Sequence, residues 1–139
     1  MQLPHVNYLA VLTSGIVIFL LGGLWYSPAL FAKKWMALQG RSEEELKAAV
    51  PVPVPALYVF ALLCGLASAW TLAVVLNHFI DPTPLRVSMV AGLCWFGFAA
   101  ATSLATGLFS GKPLQLWLID SVYNLVSFIL AANILAAWK

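Results

Sequence analysis

A chain of 139 residues has room for one domain, taken here as 1–139. Hydrophobic residues make up 63% of it and charged residues 9%, against about 25% charged in soluble domains; a soluble fold of this size buries only about 70% of its chain surface and could not hide so much apolar area. The net charge of +2 comes with no basic stripe, which excludes a nucleic-acid partner, and Cys64 and Cys94 lie deep in apolar runs, as packing residues and not as a disulfide framework or metal site.

The charges and prolines partition the chain into four runs, about 6–26, 54–76, 87–109 and 114–138, interrupted only by Asp120. Each is near or above the roughly 20 residues that carry a helix across about 30 Å of hydrocarbon. None of the eight prolines falls deeper in a run than its first turn, where helices start or stop.

The first run has no basic leader and ends in Trp25-Tyr26-Ser27-Pro28 rather than a small-residue cleavage site, so it reads as a retained span. Gly15, Gly22 and Gly23 let a neighbouring backbone come close. Ala29–Val50 is the one sizeable polar connection. Phe31, Trp35, Met36 and Leu38 lie among Lys33, Lys34 and Gln39, the pattern of a short amphipathic segment in the membrane interface. Ser42 and Glu45 are spaced as a capping box and predict a short helix from Glu43 to about Val50. Pro51-Val52-Pro53-Val54-Pro55 then leads stiffly into the second span.

The second span carries Ala61, Gly65, Ala69 and Ala73 at four-residue steps, a ridge on which another helix can pack closely. The ridge exceeds what packing inside a thin bundle needs, and so predicts a homo-oligomer, a dimer. Asn77-His78 and Asp81-Pro82-Thr83-Pro84 form a tight turn, with Asp81 placed to pair with Arg86 at the surface. The third span sets Gly92, Trp95, Ala99, Thr102, Thr106 and Phe109 on one face. After Ser110-Gly111-Lys112-Pro113, the fourth span aligns Asp120, Tyr123, Asn124, Ser127 and Ala131. The two short turns make the second, third and fourth helices antiparallel neighbours.

The fold class is therefore all-α: an integral membrane protein built as a four-transmembrane-helix antiparallel bundle, with a short amphipathic cytoplasmic segment between helices 1 and 2. Lys33, Lys34, Arg41, Lys47 and Lys112 occupy the first and third connections, against Arg86 and Lys139 on the other side. This bias places Ala29–Val50 in the cytoplasm and both termini outside.

Asp120 is the one charged residue well inside a span, roughly 6–9 Å along the helix from its start. An acid facing lipid at the bilayer centre costs at least about 2.5 kcal/mol, so it should turn inward and find donors. Residues at similar depth make up one polar layer: Trp25, Tyr26, Tyr58, Thr102, Thr106, Asp120, Tyr123 and Asn124. Two readings follow: a hydrogen-bond layer that fixes helix register, or a ligand or proton site built on Asp120. Gly22 and Gly92 join Ala61, Gly65, Ala69 and Ala73 as helix-packing positions. Trp25, Trp35, Trp117 and Trp138 read as interface anchors, Trp70 and Trp95 as packing. His5 and His78 do not converge into a recognisable metal site. No nucleophile–base spacing, phosphate-binding glycine loop or paired acid appears, so neither an enzyme nor a cofactor is expected. The partners expected are the lipid bilayer, a second copy of the chain, and a small-molecule or lipid ligand. The function is that of a small binding or transport module; the alternative is an accessory protein acting through helix–helix assembly.

Asn7-Tyr8-Leu9-Ala10, Gly22-Gly23-Leu24-Trp25-Tyr26-Ser27-Pro28, Phe31 and Trp35 resemble the start of the bacterial membrane family called domain of unknown function 1761. Trp95-Phe96-Gly97-Phe98 and Ile119-Asp120-Ser121-Val122-Tyr123 resemble its later motifs. The resemblance implies a small four-helix protein of the bacterial inner membrane and implies no activity.

Overall fold

The structure, a computed structural model, describes residues 2–79 and 81–138. Lys139, used above for orientation, lies outside them. Among the described residues seven α-helices run in chain order: α1 Tyr8–Trp25, α2 Ala32–Gln39, α3 Glu43–Ala49, α4 Val54–Leu76, α5 Pro84–Cys94, α6 Ala101–Phe109 and α7 Leu114–Ala137. A π-helical turn, Trp95–Ala100, joins α5 to α6 into one rod, Pro84–Phe109. Together with α1, α4 and α7, this rod makes four helices long and apolar enough to cross a membrane.

Local chemistry sets the ends. The Asn7 side chain accepts from the Leu9 and Ala10 N–H groups and starts α1. Ser42 and Glu45 close the capping box of α3 in both directions. Gly40 ends α2 at φ 65°, a left-handed conformation that glycine adopts without a Cβ penalty. Thr83 caps α5 just ahead of Pro84, and Arg86 pairs with Asp81 at 2.9 Å on the surface.

The fourth span is the axis of the bundle. In its most apolar window 33% of residues are buried, against 17% in the third span, which lies at the periphery. α7 packs on α1, α4, α5 and the π turn, whereas α4 and α5 meet only sparsely beyond their shared turn. The second and third spans are thus not the broad neighbours that the short turn suggested. A groove opens between them, lined by Ala67, Thr71, Cys94 and Phe98, with Phe128 among its lining residues from α7.

The apolar core is concentrated at the end bearing both termini. Val6 and Ala10 of the chain's start pack there with Ala69, Ala73, Val87, Ala91, Ala131 and Leu135. Gly65, Ala69 and Ala73 are buried, and their partner is α1 of the same chain. A Cβ on Gly65 would lie 3.1 Å from the Gly15 carbonyl oxygen and 3.4 Å from Ile18 Cγ2. The ridge is therefore used inside the monomer. Ala61 is exposed and takes no part in it, and a Cβ on Gly92 would meet nothing within 4 Å. These two packing assignments are corrected: neither residue sits at a close helix crossing.

The π turn corrects the face of the third span. It adds one residue to a helical turn, rotating everything after it by about 100°. The expected face of Ala99, Thr102 and Thr106 moves one position along, to Ala100, Ser103 and Gly107. Ala100 and Gly107 are buried, while Thr102 and Thr106 are exposed. Trp117 donates to the Ser103 hydroxyl at 2.9 Å, and Trp95, at the start of the turn, donates to the Ser121 carbonyl at 2.8 Å.

Candidate functional site

After α1 the chain reverses tightly. The Ser27 hydroxyl donates to the Leu24 carbonyl, and the Phe31 and Ala32 N–H groups donate back to Trp25 and Ser27. Pro28 cannot continue the helix for want of an N–H. The reversal lays α2 against the start of α7, so side chains on both sides of the bend face Asp120.

The Tyr26 hydroxyl donates to Asp120 Oδ1 at 2.7 Å, and the Trp35 indole N–H donates to the same oxygen at 3.1 Å. The Trp25 indole N–H donates to the Ile119 carbonyl at 3.1 Å. Three consecutive residues of α7, Ile119, Asp120 and Ser121, therefore each accept an aromatic N–H or O–H from another part of the chain. Each such bond contributes about 0.5–1.5 kcal/mol, more where the acceptor is charged, and together they tie the end of α1 and α2 to the start of α7.

Tyr123, one turn further along α7, donates to the Ile18 carbonyl at 2.9 Å. Gly22 makes the space: a Cβ there would lie 3.0 Å from the Tyr123 hydroxyl. The rings form a continuous cluster, with centroids 4.9 Å apart for Trp25–Phe31, 5.6 Å for Tyr26–Tyr123 and 6.0 Å for Tyr26–Trp35. Asp120 is half-buried and borders a cleft of about 430 Å³ that it shares with Tyr26, Ala32, Trp35 and Met36.

The expected polar layer divides. Trp25, Tyr26, Asp120 and Tyr123 come together. Asn124 is half-buried on α7 and makes no side-chain hydrogen bond among the described residues. Tyr58 stands apart, 61% exposed and edge-on to Phe19 at 6.3 Å. The Thr102 and Thr106 hydroxyls donate to carbonyls of their own helix. Tyr58, Thr102 and Thr106 are therefore not part of the Asp120 cluster. Each turns away from it about its own helix.

Trp35 is the site residue that sequence reasoning assigned elsewhere. As an interface anchor it would present its N–H to water and headgroups; instead Trp25, Trp35 and Trp117 all donate to protein acceptors. A signal was present. Phe31 and Trp35 are one helical turn apart just after the first span, the lone intramembrane acid lies at the same end of the bundle, and a half-buried indole N–H seeks an acceptor.

A fold of four apolar helices around a central fourth span, with a carboxylate clasp at one end, defines a small multi-pass helical membrane protein. The sequence model of a family described as "Protein of unknown function (DUF1761)" matches residues 9–136, and the chain belongs to that family. No curated protein and no solved structure matches it.

Proposed function

We propose that the chain is a small binding or transport module of the bacterial inner membrane, and that its ligand enters the cleft beside Asp120. One observation carries this reading: the acid is clasped on one oxygen by Tyr26 and Trp35 while its carboxylate borders an open cleft. Pockets of about 300–1,000 Å³ with a few convergent polar groups are the usual form of a small-molecule site, and an acid within a membrane span points to a ligand or proton pathway. Lys33, Lys34, Arg41, Lys47 and Lys112 favour a cytoplasmic position for this end, with both termini outside.

The test is native mass spectrometry of the protein gently extracted from its own membrane. A reproducible adduct of one mass, lost in Asp120→Asn, is the expected result. A bare protein, unchanged by that substitution, would reduce the clasp to a structural device.

A second reading, assembly with another copy or a partner protein, moves to a different surface. With the small-residue ridge used against α1, the third span offers an uncovered face: Phe98 is 81% exposed and Phe109 96%. Cross-linking at native density through cysteines placed at Phe98 and Phe109 tests it; monomer alone would exclude that face.

A further inference from the structure

We propose that the Asp120 cleft selects an organic ammonium group. This rests on the reading of the cleft as a ligand site and adds the chemical class of what it takes.

The first ground is uncompensated charge. Among the described residues the ion pairs are Lys47–Glu43 and Arg86–Asp81, both on exposed side chains away from the cleft. The donors that reach Asp120 are a phenol and an indole, both neutral and both on Oδ1; among the described residues no protein donor reaches Oδ2. Lys33 and Arg41 line an adjoining groove that shares Ala32 and Met36 with the cleft, and among the described residues neither forms an ion pair with Asp120. A half-buried carboxylate with neutral neighbours is best complemented by a cation, since opposite charge is worth more as water is excluded.

The second ground is the shape and chemistry of the walls. The Tyr26 and Trp35 rings both line the cleft, in an edge-type contact with centroids 6.0 Å apart at 75°, and their hydrogen-bonding edges meet at Asp120. Ammonium groups are attracted to aromatic faces within about 6 Å of the ring centre, and aromatic side chains lining a pocket are the usual means of recognising quaternary ammonium. Met36 and Ala32 complete the lining with a polarisable thioether and a methyl. A strongly hydrated metal ion would find one carboxylate and apolar walls; an alkylated ammonium sheds water readily and fits both.

The probes are choline and 3,3-dimethylbutan-1-ol, which differ by one charged nitrogen in place of carbon. Each is titrated calorimetrically into the full chain in a maltoside detergent. Choline should bind at least about tenfold more tightly than the alcohol, the scale of a partly desolvated cation–π contact with a nearby acid. Asp120→Asn should erase that preference. The wild-type comparison stands by itself if the variant fails to fold. Equal binding of both probes overturns the ammonium preference while leaving a ligand site. Binding of neither also overturns it, and the adduct experiment above then decides separately whether the cleft is a site at all. The ammonium could come from a free solute or a lipid headgroup. Selective retention of phosphatidylethanolamine over phosphatidylglycerol in native spectra supports the headgroup, and choline binding without such retention supports the solute.

Discussion

Tyr26 and Asp120 stand ninety-four residues apart in the chain and 2.7 Å apart in the fold. That contact joins the end of the first span to the start of the last. Trp35 reaches the same oxygen from the interfacial helix, so a single carboxylate holds three segments together.

Removing the acceptor should cost more than neutralising it. Asp120→Leu leaves the Tyr26 hydroxyl and the Trp35 N–H without a partner, at about 1–3 kcal/mol for each donor that stays buried. Asp120→Asn keeps a carbonyl oxygen in place and should lose less. Thermal unfolding in detergent should rank wild type above Asn above Leu. Equal midpoints for all three would mean that the clasp contributes nothing to the fold.

The two donors should not act independently. Tyr26→Phe and Trp35→Phe each remove one hydrogen bond to Oδ1, at about 1.5–3 kcal/mol if the acceptor is charged. Groups sharing one partner couple by about 0.5–3 kcal/mol in a double-mutant cycle. Hydrogen exchange adds a local readout: Trp35→Phe should raise exchange in Ala32–Gln39 while α4 stays protected. Protection of Ala32–Gln39 that does not change would mean that the indole bond does not hold α2 down.

Gly65, at a close helix crossing, and Gly92, in open space, should respond differently. At Gly65 an added methyl meets the Gly15 carbonyl oxygen at 3.1 Å, backbone that cannot swing aside. Gly65→Ala should destabilise the monomer and Gly65→Leu more so, in the range of about 1–3 kcal/mol or beyond for overpacking. Gly92→Ala meets nothing within 4 Å and should stay within about 0.5 kcal/mol of wild type. A Gly65→Leu protein that keeps its monomer stability but loses an oligomer would restore the ridge as an intermolecular surface.

Deleting Gly97 should remove the extra residue of the π turn. The turn would tighten to α while later residues keep their faces, because the residue removed is the one that the wider turn absorbs, so Ser103 stays beside Trp117. Ser103→Ala should then cost about 1 kcal/mol, for the lost bond, in the wild type and in the deletion alike. A cost in the wild type alone would show that the turn does not account for the register.

Ser14, Ser121 and Ser127 are buried, and among the described residues their hydroxyls have no hydrogen-bond partner in good geometry. Burying a hydroxyl without a hydrogen bond costs free energy that a methyl does not. Ser14→Ala and Ser127→Ala should therefore be neutral or raise stability by up to about 1 kcal/mol, read by thermal unfolding. A loss above 1 kcal/mol in either would indicate a hydrogen bond formed through bound water.

Four spans and their ends were legible in the sequence because they depend on local quantities. Run length, the edges marked by prolines, the Ser42–Glu45 capping box and the lone acid at Asp120 need no knowledge of neighbours. The family resemblance, carried by Trp25-Tyr26-Ser27-Pro28 and the residues around Asp120, was legible too, and the family match over residues 9–136 agrees with it. Depth along each helix was also available from counting, which put Tyr26 and Tyr123 near Asp120. Direction around each helix was not. The π turn at Trp95–Ala100 shifts the face of everything after it, so Thr102 and Thr106 turn away. The reversal at Ser27-Pro28 brings Trp35 back over α7, although linear order sends it away from the bundle. Which helix receives the small-residue ridge was likewise undecided, since any close partner in lipid would satisfy it; only the packed structure assigns it to α1. Apolar periodicity in a membrane marks what can be buried, and because lipid and protein interior are equally apolar, tertiary contacts alone decide which side each face turns to.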